Sequence, residues 1–144
     1  MASTAALYTP EVLGLATSLA QVPLKEGLDL KGSARSPACG STIEIGLNVD
    51  DGGRISDLGI RAQACAIGQA AAALFATAAL GRDRAALARA LVALEGWLST
   101  GGPLPDWPGL ETIAAARDFP GRHGAMLLPW RAALDALPSG PEAR

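Results

Sequence analysis

Thr42-Ile43-Glu44-Ile45-Gly46-Leu47-Asn48-Val49, then Asp50-Asp51-Gly52-Gly53, then Arg54-Ile55-Ser56-Asp57-Leu58-Gly59-Ile60-Arg61 is the stretch that decides the fold. Ile43, Ile45, Leu47 and Val49 alternate with Thr42, Glu44, Gly46 and Asn48, which in an extended chain puts the apolar side chains on one face. The run from Arg54 alternates in the same way. Two aspartates and two glycines separate the runs, so they close into an antiparallel hairpin with one face to hide. Just upstream, 28–31 (Leu-Asp-Leu-Lys) is expected to add a third strand at the edge.

The flanks are helical. In the opening stretch Val12, Leu15 and Leu19 share one helical stripe, and Pro23 follows, which predicts a short amphipathic helix over 10–19. After Ala64 an alanine-rich helix over 65–80 ends at Gly81, and Asp83 can cap a second helix over 84–98, with Leu87, Leu91, Leu94 and Leu98 at helical spacing. Gly101-Gly102-Pro103 stops it. A loop with Pro103, Pro105, Trp107 and Pro108 leads to a short helix over 110–117, and Phe119-Pro120-Gly121 breaks the chain before a last helix over 123–137. Proline is tolerated only near a helix start, so Pro129 predicts that the regular part of this helix begins after His123. The order of elements gives an α+β fold, a three-stranded antiparallel sheet with helices packed on one face. Residues 1–137 are expected to form one domain, with 138–144 as a tail.

Composition narrows the function. The chain has 144 residues, a net charge of −2, 49% hydrophobic and 18% charged residues, which suits one well-cored domain and excludes disorder. Without a Lys/Arg run, and with 4% aromatic residues, it offers nucleic acid neither a basic footprint nor a stacking platform. The uncharged segment 62–80 is long enough to span a bilayer, but it is mostly alanine and contains Gln63, Gln69 and Thr77, so a buried helix is expected. Two cysteines and a start without a basic, then apolar, leader predict a reducing cytoplasm.

Those cysteines occupy distinctive places. Cys39 lies in the turn Ser36-Pro37-Ala38-Cys39-Gly40-Ser41 just before the first alternating strand, and Cys65 begins the alanine-rich helix. If the hairpin folds as read, both lie at the same end of the sheet. Unpaired N–H groups at a helix start favour thiolate, so Cys65 is expected to be the more acidic thiol. The other reading makes both thiols small buried hydrophobes. Arg61 and Arg122 are the basic residues near this end, and His123 is the single histidine.

The turn around Cys39, the hairpin, Ala64-Cys65-Ala66-Ile67-Gly68-Gln69, Phe119-Pro120-Gly121-Arg122 and Leu128-Pro129-Trp130-Arg131 together resemble the NifU/IscU/SufU family of iron-sulfur cluster assembly scaffolds, most closely its SufU-type branch. The resemblance implies a carrier rather than an enzyme, one that works with a cysteine desulfurase and with recipient apo-proteins. It also implies a site. Cys39 and Cys65 match the family's first and second cysteines, whereas Ser41 stands at the aspartate position and Ala125 at the third cysteine. The histidine of the IscU-type branch falls on Gly124, next to His123. Tetrahedral zinc wants four ligands, so three arrangements stand open. His123 completes a Cys2His site with an open position; or two subunits of a homodimer share one [2Fe-2S] cluster on four thiolates; or the chain binds no metal and serves as an interaction module for the desulfurase, or as a persulfide carrier.

Overall fold

The structure, a computed structural model, describes residues 7–138, so the expected tail lies, apart from Pro138, outside the described residues. Three antiparallel strands, β1 (Leu30–Arg35), β2 (Thr42–Val49) and β3 (Ile55–Gln63), form a sheet in that order. Helix α1 (Pro10–Ser18) precedes them, and α2 (Ala66–Ala79), α3 (Arg84–Thr100) and α4 (His123–Ala136) follow. No helix among the described residues is long and apolar enough to cross a membrane.

The deciding alternation holds. Ile45 pairs with Ile60 and Leu47 with Leu58, so Ile43, Ile45, Leu47, Leu58 and Ile60 share one buried face, against which α4 and α2 pack. The opposite face carries Glu44, Arg61 and Asp57, but its centre is not bare. Gly46 pairs with Gly59 there, and the missing side chains let Pro23, Leu24 and Leu28 lie directly on the backbone. The segment between α1 and β1 thereby covers the outer face.

Three expectations need correcting. The edge strand runs over Leu30–Arg35, not 28–31. Its centre is Gly32, where an added Cβ would meet the backbone of Ala132 and Ala136, so the strand is chosen by the close approach of α4 rather than by large apolar residues. The stretch Leu110–Asp118 is a 3-10 helix, and its buried residues Leu110, Ile113 and Ala116 recur every third position, the period of that helix. Finally, α4 starts at His123 with Pro129 in its interior. Pro129 deprives the Ala125 carbonyl of its helical donor, but 125–130 is buried throughout, and packing outweighs the lost bond.

Caps and aromatic packing fix the helices in place. Thr9 accepts the Val12 N–H and Asp83 the Ala86 N–H, each satisfying an N-terminal donor of its helix. Trp107 stacks on Phe75 with centroids 5.7 Å apart, meets Trp130 edge-on, and donates its indole N–H to the Leu74 carbonyl. This cluster ties the proline-rich loop after α3 to α2 and α4.

Candidate functional site

The first strand pair and the hairpin bring two chain segments to one end of the sheet. Arg35 pairs with Thr42, and Thr42 with Gln63, so the β1–β2 loop that bears Cys39 leaves the sheet beside the residues that lead into Cys65. The loop is a closed turn. The Ser36 N–H donates to the Ser41 carbonyl at 2.9 Å, the Gly40 N–H to the Ser36 carbonyl at 2.8 Å, and Gly40 takes φ +75°, a conformation open to glycine.

The N-terminal turn of α4 meets both segments. Gly124 lies so close to Ser36 that a Cβ there would collide with the serine side chain, while Ala125 packs on Gly68 in the first turn of α2. Ala125 is fully buried between them. The position that the resemblance assigns to a third thiolate therefore sits beside the helix that begins at Cys65, and carries a methyl group.

Cys39 is exposed, which removes the buried-hydrophobe reading for it. Its Sγ lies 3.1 Å from the Ser41 Oγ. The hydroxyl of Ser36, ahead of that of Ser41, holds the Cys39 thiol below its ordinary pKa, and the charge of Arg122 adds to the effect. Ser36 is buried, and no group other than this thiol engages its Oγ among the described residues. The hydroxyls of this turn thus lower the Cys39 thiol without the help of a helix start. Arg61 is taken up by Glu44 at 3.3 Å on the exposed face, which leaves Arg122 as the cation that acts on Cys39. Ser36 carried no signal in the sequence: a serine before a proline reads as a turn residue, and only the approach of Gly124 buries it.

Cys65 is half-buried and is the N-cap of α2. Its carbonyl accepts the Gln69 N–H at 2.9 Å, while its side chain makes no capping bond and so remains available to a ligand. His123, the first residue of α4, has its Nε2 2.6 Å from the Arg117 carbonyl oxygen. A carbonyl can only accept, so Nε2 is the nitrogen that donates, and in the neutral ring the lone pair falls to Nδ1.

Residues 7–95 match the sequence model of the NifU-like N-terminal domain. The chain belongs to that family. Among solved structures it is similar to the N-terminal NifU-like protein of Brucella abortus, with 28% identity, TM-score 0.80, 90% of this chain and 91% of that one covered. It also shares its fold with a protein described as an iron-sulfur cluster assembly scaffold for the SUF system of Fervidobacterium islandicum AW-1, at 18% identity and TM-score 0.81, over 94% of this chain and 100% of that one. No curated protein sequence matches the chain.

As a NifU-like domain the chain has an unusual donor set. Among the described residues no group of three or more His, Cys, Asp or Glu side chains could hold a metal ion. A neutral Ser41 hydroxyl is a poor replacement for a carboxylate, and Ala125 has no donor atom, so a closed four-ligand zinc site does not fit one chain. What the domain does offer is an exposed, activated thiol at Cys39 and a half-buried one at Cys65.

Proposed function

We propose that this NifU-like domain is a scaffold of iron-sulfur cluster assembly, which holds sulfur, iron or a nascent cluster on Cys39 and Cys65 and passes it to recipient apo-proteins. The observation that carries the reading is the meeting of the Cys39 turn and the Cys65 helix start on the first turn of α4, through Gly124 against Ser36 and Ala125 against Gly68. Soft thiolates suit iron and sulfide, and the lowered pKa of Cys39 supplies a thiolate at a lower pH than an ordinary cysteine would. His123 becomes a third donor only by turning toward the thiols, since among the described residues it forms no three-member group with the two cysteines and its Nε2 bonds the Arg117 carbonyl instead. With fewer protein bonds than a four-ligand site, the cargo is held for handover rather than for storage. A cluster with four thiolates requires Cys39 and Cys65 from each of two copies. The reading takes 1–137 as the scaffold domain of a SufU-type protein in the cytoplasm, charged with sulfur by a cysteine desulfurase.

A second reading is favoured by the buried methyl of Ala125: a chain that keeps the scaffold's surface without its metal, as a docking module for the desulfurase. Anaerobic reconstitution with ferrous iron and sulfide separates the two. On the first reading the protein takes up iron and acid-labile sulfide, shows a visible charge-transfer band and elutes as a dimer, and either Cys39→Ser or Cys65→Ser abolishes all three. Failure to retain iron and sulfide, with desulfurase binding intact, establishes the second.

A further inference from the structure

Far from the cysteines, at the hairpin-turn end of the sheet, a groove of about 240 Å³ runs between α3 and the loop after it. One wall is a single helical face, Ala86, Arg89, Ala90, Ala93 and Leu94, spaced three and four residues apart. The other wall is Pro105, Asp106 and Trp107, and Arg82 closes one end. The eight helical rises from Ala86 to Leu94 make the groove about 12 Å long, the span of three or four residues of extended chain.

Arg82 is held ready for an anion. Its Nε donates to the Ala78 carbonyl at 2.6 Å, and its guanidinium lies over the Trp107 ring, 4.2 Å from the centroid. Trp107 is itself buried, stacked on Phe75 and bonded to the Leu74 carbonyl, so the platform under the cation is rigid. The ion pairs among the described residues use Lys25, Arg61 and Arg131, and neither Arg82 nor Arg89 has an acidic partner. The terminal N–H groups of a guanidinium fixed in this way form a fork that matches a carboxylate. Between the two arginines the helical wall is mostly alanine, which leaves room for an apolar side chain. Asp106 on the opposite lip reduces the net charge to one positive, which selects an occupant of modest acidity over a polyanion.

We infer that this groove is a docking site for a short extended peptide segment of a partner protein, in which one or two carboxylates flank an apolar side chain. The carboxylates take Arg82 and Arg89, and the apolar side chain takes the alanine floor. Charge complementarity selects the acidic segment, and the length of the groove selects a peptide over a small anion. This site is independent of the thiol chemistry proposed above, and it stands or falls separately.

The test is NMR titration of the ¹⁵N-labelled full chain, observing the Arg82 Nε–H and Trp107 indole N–H resonances. The probes are the acetylated, amidated tripeptides Glu-Leu-Glu and Gln-Leu-Gln, and acetate alone. Glu-Leu-Glu at millimolar concentration is expected to shift both resonances, with Gln-Leu-Gln weaker by on the order of a hundredfold, since it loses two charge-assisted bonds and each is worth roughly a factor of ten. Arg89→Gln, an exposed change that leaves the Trp107 platform untouched, removes one of the two bonds and is expected to weaken Glu-Leu-Glu by on the order of tenfold while leaving the Trp107 resonance of the free protein in place. Equal binding of the two peptides, an equal response to acetate, or no shift at either resonance overturns the inference.

Discussion

Replacing Gly32 by alanine pushes one methyl group into the seam between β1 and α4. The new Cβ would lie 2.5 Å from the Ala136 nitrogen and 2.9 Å from the Ala136 Cα, with the Ala132 carbonyl oxygen nearer still. All three are backbone atoms, so no side chain can rotate away, and α4 must lift off the sheet. Overpacking of this kind costs about 1–3 kcal/mol, and backbone clashes belong at the upper end. Alanine recovers about 0.5–1 kcal/mol, because glycine loses more chain entropy on folding. The net expectation is a loss of roughly 1–2 kcal/mol, or roughly 2–8 °C in melting temperature for a chain of this size. Gly14 provides the opposite case. It lies exposed within α1, with nothing within 4 Å of its added Cβ, so Gly14→Ala should gain up to about 1 kcal/mol from helix propensity alone. Urea unfolding followed by circular dichroism measures both. If Gly32→Ala proves as stable as the parent chain, the close seating of α4 on β1 is refuted; if both variants lose stability alike, the reasoning from space around each glycine fails.

Cys39 alkylation by iodoacetamide, followed against pH in a Cys65→Ser background, should reach its plateau at lower pH than an ordinary thiol, and Ser36→Ala and Ser41→Ala should each move the curve upward. Because the folded thiol is the more acidic one, whatever stability its ionisation adds is present above the unfolded thiol's pKa and fades as pH falls through the folded value. In metal binding, the unmodified chain should purify largely free of zinc, and the double variant Ser41→Asp with Ala125→Cys should raise zinc affinity by orders of magnitude in competition with a chelating dye. Tight zinc in the unmodified chain, or no gain in the double variant, would mean that the ligand positions are wrongly assigned.

The parts of the fold that were legible share one property: their burial is periodic and their side chains are large. Ile43, Ile45, Leu47 and Val49 announce β2 because a half-buried strand needs that alternation, and Asp83 announces α3 because an aspartate side chain suits a helix start. Where contact is made through missing side chains, the pattern goes silent. Gly32 in β1 and the Gly46–Gly59 pair under Leu24 and Leu28 are small because another segment lies on them, and a glycine does not say which. Pro129 misleads for a related reason: local propensity argues for a helix start, and tertiary packing overrules it. In the site, the common location of Cys39 and Cys65 followed from the hairpin, whereas Ser36 did not, since its burial depends on Gly124, 88 residues further along the chain.

The covering of the outer face bears on how two copies could meet. The Ile60 N–H donates to the Val22 carbonyl, and Pro23, which has no N–H of its own, bridges to Ile60, so the free edge of β3 is occupied at its middle. At the other margin the Ser33 N–H donates to the Asp135 carboxylate at 3.0 Å. Both rims of the sheet are thus blunted against strand addition, the common route by which exposed edges recruit another chain. On the proposed reading, a pair of subunits sharing a cluster would meet through the turn of Cys39 and the helix starts around it, with the metal itself among the bonds that join them, and removing the cargo would then loosen the pair.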